Sequence, residues 1–244
     1  MEKSILDLKI LDIPISEFIS KIKTDLNQIA TPRIIVTPNI DHLQRLSSAN
    51  NDLFNTAYRN ADYIVCDSRV LKIASCLKGT HIKNVIPGSD LTKAIIQDPW
   101  IKDKKICIIG PSYNEYKILK EIFSLELACH YCPPIGFMED PFEVEKCISL
   151  INQETPDLVF LAVGSPRQEA LALKIKQRVT TPMLLFCIGA SLDFLSGKTP
   201  RAPKWMQTAH LEWFHRMLSE PKRLAPRYIK NAKWLINYLT LKNN

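Results

Sequence analysis

Five short apolar runs, at residues 34–37, 63–66, 105–109, 158–163 and 183–188, are separated by longer stretches in which apolar positions recur every three or four residues. The periodic stretches cover 70–78, 90–97, 114–123, 142–152 and 168–178. Runs of four to six apolar residues suit strands buried on both faces, and the longer pattern suits amphipathic helices. Their alternation predicts βα units, a largely parallel sheet and an α/β fold class. Several runs end in polar or glycine-containing turns: Thr37-Pro38-Asn39, Cys66-Asp67-Ser68, Gly110-Pro111-Ser112, Gly164-Ser165-Pro166 and Gly189-Ala190-Ser191. Open parallel sheets bind ligands beyond the carboxyl ends of their strands, so these turns are the places to seek a site.

The pattern changes near 200–203. Beyond it lies a helix-prone segment containing Pro221 and Pro226, residues that break or kink helices. The expected division is an α/β core at 1–200 and an appendage at 201–244. Charge follows the same division. The net charge is +7, yet residues 1–200 hold equal numbers of acids and bases, and the whole excess lies in the tail, with nine Lys or Arg against Glu212 and Glu220. Its basic residues are interleaved with Trp205, Trp213, Phe214, Tyr228, Trp234 and Tyr238. Such a segment can lie on an anionic bilayer, bind nucleic acid by charge and stacking, or pack its rings on the core with its charges solvated. Pattern alone leaves these three open.

With 244 residues, 46% of them hydrophobic, the chain can bury a sizeable core. No window reaches the eighteen or so apolar residues of a spanning helix, and the polar start lacks a signal-peptide pattern, so a cytoplasmic protein is expected. Of seven cysteines, Cys66, Cys107 and Cys187 fall in or at the ends of apolar runs, as reduced core thiols do. Cys129 and Cys132 flank His130 in one CxxC, but no second ligand pair follows, and strand-end thiols are expected rather than a metal site.

Several chemistries are excluded by inspection. No two of the seven glycines are separated by a single residue, so GxGxxG cannot occur, and neither a phosphate loop nor HExxH is present. DxD is missing too, so a bound diphosphate would have to be met by Arg, Lys and backbone N–H groups.

What remains is local. GSPRQE at 164–169 follows a strand and opens a helix: Gly164 and Ser165 permit close backbone approach, while Arg167 and Gln168 offer donors to phosphate or ribose. Spacing alone favours a plain βα turn, with Pro166 near the helix start and Glu169 complementing the helix dipole. Asp67, at the end of one strand, is placed for a general base, and Thr37 and Asn39 hold the corresponding place on another. Alternatively Asp67 and Asn39 cap the helices that follow. Gly88-Ser89-Asp90 can meet a hydroxylated ligand, or Ser89 or Asp90 can be an N-cap.

Taken together, these segments resemble the WecG/TagA/CpsF glycosyltransferases, glycosyltransferase family 26. The resemblance runs in order through TPNIDHL at 37–43, ADYIVCDS at 61–68, GSDL at 88–91, VGSPRQE at 163–169 and GASLDFLSGKTPRAPKWMQTAHLEWFHRMLSEPKRLAPRY at 189–228. It implies a Rossmann-like core and a C-terminal appendage that aids peripheral membrane association and completes the site. The implied activity is an inverting, metal-independent hexosyl transfer without cofactor, from a UDP-sugar (N-acetylmannosamine, its uronate, glucose or similar) to an undecaprenyl-diphosphate-linked saccharide. The implied setting is the inner face of the cell membrane, in the synthesis of teichoic acid, capsule or exopolysaccharide.

Residue by residue, the resemblance gives Asp67 the role of base with Thr37 and Asn39 beside it. It gives Gly164, Ser165, Arg167, Gln168 and Asp193 to the nucleotide, and Arg216, Arg223 and Arg227 to the phosphates. The implied partners are the donor, the lipid-linked acceptor and an anionic membrane, not nucleic acid, with homo-oligomerisation left open. The family usually has Gly after the base, and Ser68 stands there here. A non-catalytic accessory subunit and a nucleic-acid-binding module are the rival readings.

Overall fold

A computed structural model describes residues 2–48, 52–125, 128–200, 202–203, 206 and 212–240. An antiparallel hairpin, β1 (Glu2–Ile5) and β2 (Leu8–Leu11), precedes the main sheet. That sheet is formed by β3 (Arg33–Val36), β4 (Tyr63–Ile64), β5 (Ile106–Ile109), β6 (Ala128–Tyr131), β7 (Leu158–Leu161) and β8 (Leu184–Cys187). They lie in the order β4-β3-β8-β7-β5-β6, every pair parallel. The protein therefore has the expected α/β, Rossmann-like core.

The apolar runs became strands because helices cover both faces. Alternate residues serve opposite sides: Ile34, Val36, Val159, Leu161, Leu185 and Cys187 belong to one core cluster, and Ile35, Leu158, Phe160, Leu184 and Phe186 to the other. On the first face lie α2 (Ile40–Leu46), α3 (Leu53–Arg59), α4 (Arg69–Leu77), α7 (Pro141–Glu154) and α8 (Arg167–Arg178). On the second lie α1 (Ile15–Leu26), α5 (Gly88–Ile96), α6 (Tyr113–Phe123) and the short α9 (Ser191–Leu195). Cys66, Cys107 and Cys187 are buried free thiols, as expected.

Three features differ from expectation. The hairpin has no glycine at its turn; Leu6 and Asp7 both take positive φ, 45° and 64°, a two-residue turn that sequence composition does not announce. Strand β4 is shorter than 63–66, although Val65 N still bonds to Val36 O at 3.1 Å. Finally, the prolines do not break the tail. After α10 (Glu212–Ser219), Pro221 opens the twenty-residue α11 (Pro221–Thr240), in the first-turn place where its missing N–H costs nothing. Pro226 stands inside that helix on its exposed side, where water can serve the carbonyl it leaves unpaired. The inner face of α11 buries Leu224 and Asn231 and packs on α2 and α4, with Trp234 Nε1 donating to Ser47 Oγ at 2.6 Å.

Candidate active site

The strand order sets the carboxyl ends of β4, β3, β8 and β7 side by side, and their turns form one polar ledge. Thr37 and Asn39 follow β3, and Asp67 follows its neighbour β4; Asp67 N bonds to Pro38 O at 3.1 Å and ties the two turns together. The third component arrives from farther along the chain. Asp12, buried after β2, accepts from the backbone N–H of Lys83 and Asn84 and so pins the strap that delivers Gly88 to the ledge. Gly88 N donates to Asp67 Oδ1 at 2.6 Å.

Gly88 marks the point of convergence. A methyl group there would sit 3.2 Å from Thr37 Oγ1, 3.4 Å from Ser191 Oγ and 3.7 Å from Asp67 Oδ1. Three side chains from three different elements thus close on the place a Cβ of residue 88 would take, and only glycine leaves that space open. Ser191 was named in the sequence only as part of the Gly189-Ala190-Ser191 turn and was given no role. It is buried at the start of α9, its hydroxyl donating to Ile188 O, and a serine after a strand has no local signal of being near Asp67.

The capping alternatives resolve differently for each residue. Asn39 is a cap: its Oδ1 accepts from the N–H groups of Asp41 and His42, so its side chain shapes the turn. Asp67 is not, because Ser68 Oγ takes the N–H of Leu71 at the start of α4. Neither Ser89 nor Asp90 caps α5, whose N-cap is Pro87. The hydroxyl of Ser68 is turned into its own helix.

The GSPRQE turn is built as a strut between two loops. Gly164 takes φ 78° and the Ser165–Pro166 bond is cis, Arg167 is exposed, and Gln168 and Glu169 are buried. Gln168 Oε1 accepts from Gly189 N at 2.8 Å and its Nε2 donates to Glu169 Oε1 at 2.9 Å, so the amide is engaged at both ends. It holds the turn after β7 to the turn after β8, which carries Ser191 and Asp193. Burial pushes the Glu169 carboxyl up to about 7, against weaker opposing hydrogen bonds from Gln168, its own backbone and Ser165. The expected complement to the helix dipole is thereby reduced near neutral pH, since the group is then partly protonated.

Asp193, on α9, lies 3.6 Å from Lys198, which also reaches Glu115 at 2.9 Å. A pocket beside it is lined by Asp193, Thr199 and Pro200 on one side and by His215, Ser219 and Arg223 from α10 and α11 on the other. Arg223 Nε and one terminal nitrogen clasp Glu220 at 2.6 and 2.8 Å. Arg227 Nε lies 2.8 Å from Asp41 Oδ1. Arg216 falls within α10, and its side chain lies outside the described residues. At the far edge of the sheet, His130 bonds to Pro111 O and stacks on Tyr116, and Cys132 Sγ donates to Gly110 O. Among the described residues no three His, Cys, Asp or Glu side chains are grouped to hold a metal ion.

Known proteins share this chain along nearly its whole length. The family model described as "Glycosyl transferase WecG/TagA/CpsF family" matches residues 3–244. A protein of Bacillus spizizenii named N-acetylglucosaminyldiphosphoundecaprenol N-acetyl-beta-D-mannosaminyltransferase is 26% identical over 237 residues, covering 93% of this chain and 89% of its own. Proteins of the same name from Bacillus subtilis and Staphylococcus aureus are 26% and 24% identical, over 86% of this chain in each case and 88% and 81% of theirs. A family match over residues 3–244 makes the chain a glycosyltransferase belonging to the WecG/TagA/CpsF family.

Proposed function

We propose that the enzyme is an inverting, metal-independent transferase that moves a hexosyl group from a UDP-sugar to a saccharide carried on a polyprenyl diphosphate. N-acetylmannosamine, its uronate and glucose are the donor sugars in view, and the relatives' names favour the first, with an N-acetylglucosaminyl-diphosphoundecaprenol acceptor. The observation that carries the reading is the convergence of Thr37, Asp67 and Ser191 on Gly88. Asp67, oriented by the Gly88 N–H, takes the proton of the acceptor hydroxyl as its oxygen attacks the anomeric carbon. The bond from that carbon to the diphosphate oxygen breaks, and UDP leaves with the electron pair.

Charge developing on UDP is met by Arg216, Arg223 and Arg227 of the appendage at 201–244 and by the Gly164 turn, with Ser165 and Arg167 near the phosphates. Preorganised donors of this kind often supply the largest catalytic contribution. Asp193, beside the pocket shared with Arg223, is assigned to the nucleoside. Gln168 acts by holding the two nucleotide-side loops in place, since its amide is already engaged. Ser68, spent on its helix cap, leaves the acceptor side to Thr37 and Gly88.

Calorimetry with UDP, ADP and GDP, each with and without EDTA, tests this reading. Selective UDP binding that survives EDTA is expected. Absence of UDP binding would overturn it in favour of an accessory subunit, and GDP or ADP preference would overturn the donor class.

The second part of the proposal is peripheral attachment to the inner membrane face. No helix among the described residues is long and apolar enough to cross a membrane. The outward side of α11 exposes Ile229 and Ile236, flanked by Lys222, Lys230 and Lys233, and the helix contains no acid. An apolar stripe edged with lysines suits an anionic bilayer. The double variant Ile229→Glu/Ile236→Glu should sediment with anionic liposomes roughly tenfold less well, from loss of two buried side chains and added repulsion. Equal sedimentation of variant and wild type would rule out this face.

A further inference from the structure

One buried acid has no part in the chemistry above. Asp41 lies in the first turn of α2, within TPNIDHL, and is 5% exposed. The helix dipole accounts for an acid at that position, but not for its burial. Burial alone would raise its pKa; instead Arg227, then Arg45, hold the carboxyl below the usual carboxylate range. Arg45 Nε lies 3.1 Å from Oδ2, a partner supplied by α2 itself. Arg227 Nε lies 2.8 Å from Oδ1, and it comes from the tail helix.

The register of that helix shows what the pair does. Along α11, Arg227 meets Asp41, Trp234 meets Ser47, and the Tyr238 ring receives Lys78 at 5.3 Å. The two helices thus run side by side in the same direction, and the apolar packing of Trp234, Leu235 and Leu239 serves their distal part. The Arg227–Asp41 pair is at the other end, two residues beyond the Asn39 cap and three beyond Pro38, whose carbonyl holds Asp67.

We infer that Asp41 is a positioning residue: a buried anionic anchor that seats Arg227, and with it the leading half of the tail helix, at the mouth of the site. This rests on the proposed role of Arg227 toward the diphosphate. Burial of Leu224 docks the leading end of the helix, but apolar packing of a neighbour leaves the long Arg227 side chain free to take other rotamers. Ion-paired at 2.8 Å, without a hydrogen bond from Nε, to a carboxylate that is itself fixed by burial, it is presented in one place, which is what an electrostatic contact needs if no reorganisation is to accompany reaction. The same pairing makes site completion conditional on tail docking.

Two readouts on the full-length protein test this. Asp41→Asn is expected to lower kcat/KM about thirtyfold and to raise the rate of tryptic cleavage after Arg223 and Lys230 by a similar factor, because removing one member of a buried charged pair opens the contact it held. Arg227→Gln should open the same tryptic sites without altering the buried acid, and serves if Asp41→Asn fails to fold. The double variant should be no worse than Arg227→Gln alone, since residues acting through one contact are not additive. Wild-type turnover with unchanged cleavage in either single variant would overturn the anchor, as would additive losses in the double. The cleavage readout needs no substrate, so an enzyme that binds no UDP yet shows Asp41-dependent tail protection would sink the transferase reading and leave the anchor standing.

Discussion

Asp67→Asn is expected to lower turnover by roughly 10²- to 10⁴-fold, the range attributed to a positioned general base, while UDP affinity stays within about threefold of wild type. The substitution is informative because of what it preserves. Asn keeps an oxygen to accept the Gly88 N–H, now at 2.6 Å from Oδ1, and the Asp67 backbone keeps its bond to Pro38, so the junction of β3, β4 and α5 retains its geometry. Only basicity is lost. Steady-state rates with a UDP-sugar and a lipid-linked acceptor, beside calorimetry with UDP alone, separate the two effects. Turnover near wild type would remove Asp67 from the base role and shift attention to the acceptor's own phosphates as proton sink.

A large effect of a different kind is expected at Glu169. Its carboxyl ionises near 4.5 in the unfolded chain and is pushed up to about 7 by burial in the fold. Between those two values the unfolded state binds fewer protons than the folded one, so stability falls as pH rises and levels off above about 7. The shift corresponds to about 3 kcal/mol. Glu169→Gln retains an oxygen for the Gln168 amide but cannot ionise. The variant should therefore lose little stability from this position between pH 5 and 8, and should exceed wild type by about 2–3 kcal/mol at pH 8. Urea denaturation at the two pH values measures this directly. Parallel wild-type and variant curves would mean that the carboxyl is not raised. An acid kept here at such a cost is consistent with the position of its strut, which holds the loop bearing Ser191 and Asp193 against the Gly164 turn.

The five strands read from the apolar runs are all present, and so are the five periodic helices, each displaced by no more than two residues at either end. Those signals were legible because burial on two faces demands unbroken apolar runs, and burial on one demands a 3.6-residue period. The hairpin, β6, α1, α3 and α9 were not read, and α2 only as the helix that Asn39 could cap. The hairpin has no turn glycine, and α2 and α3 are seven residues each, too short for a period to establish itself. Within the site, Thr37, Asn39, Asp67 and Gln168 were all named beforehand, but their partners were not. Asn39 proved to be a cap, Gln168 a strut, and Ser68 rather than Asp67 the cap of α4.

The sequence by itself determined the α/β class, the placing of polar turns at strand ends, the concentration of positive charge in the tail and, through its motifs, the family. All of these are properties of neighbouring residues or of composition, and spacing along the chain records them. The tertiary structure alone decided that Gly88 is the point on which Thr37, Asp67 and Ser191 close, that Gln168 joins two loops, and that Arg227 is seated on Asp41. These contacts, with that of Trp234 and Ser47 beside Arg227 and Asp41, join residues from 21 positions apart, as in Asp67 and Gly88, to 187, as in Ser47 and Trp234. A hydrogen bond or ion pair across such a separation leaves no period in the sequence, because its geometry is set by strand order and helix packing, which belong to the whole chain.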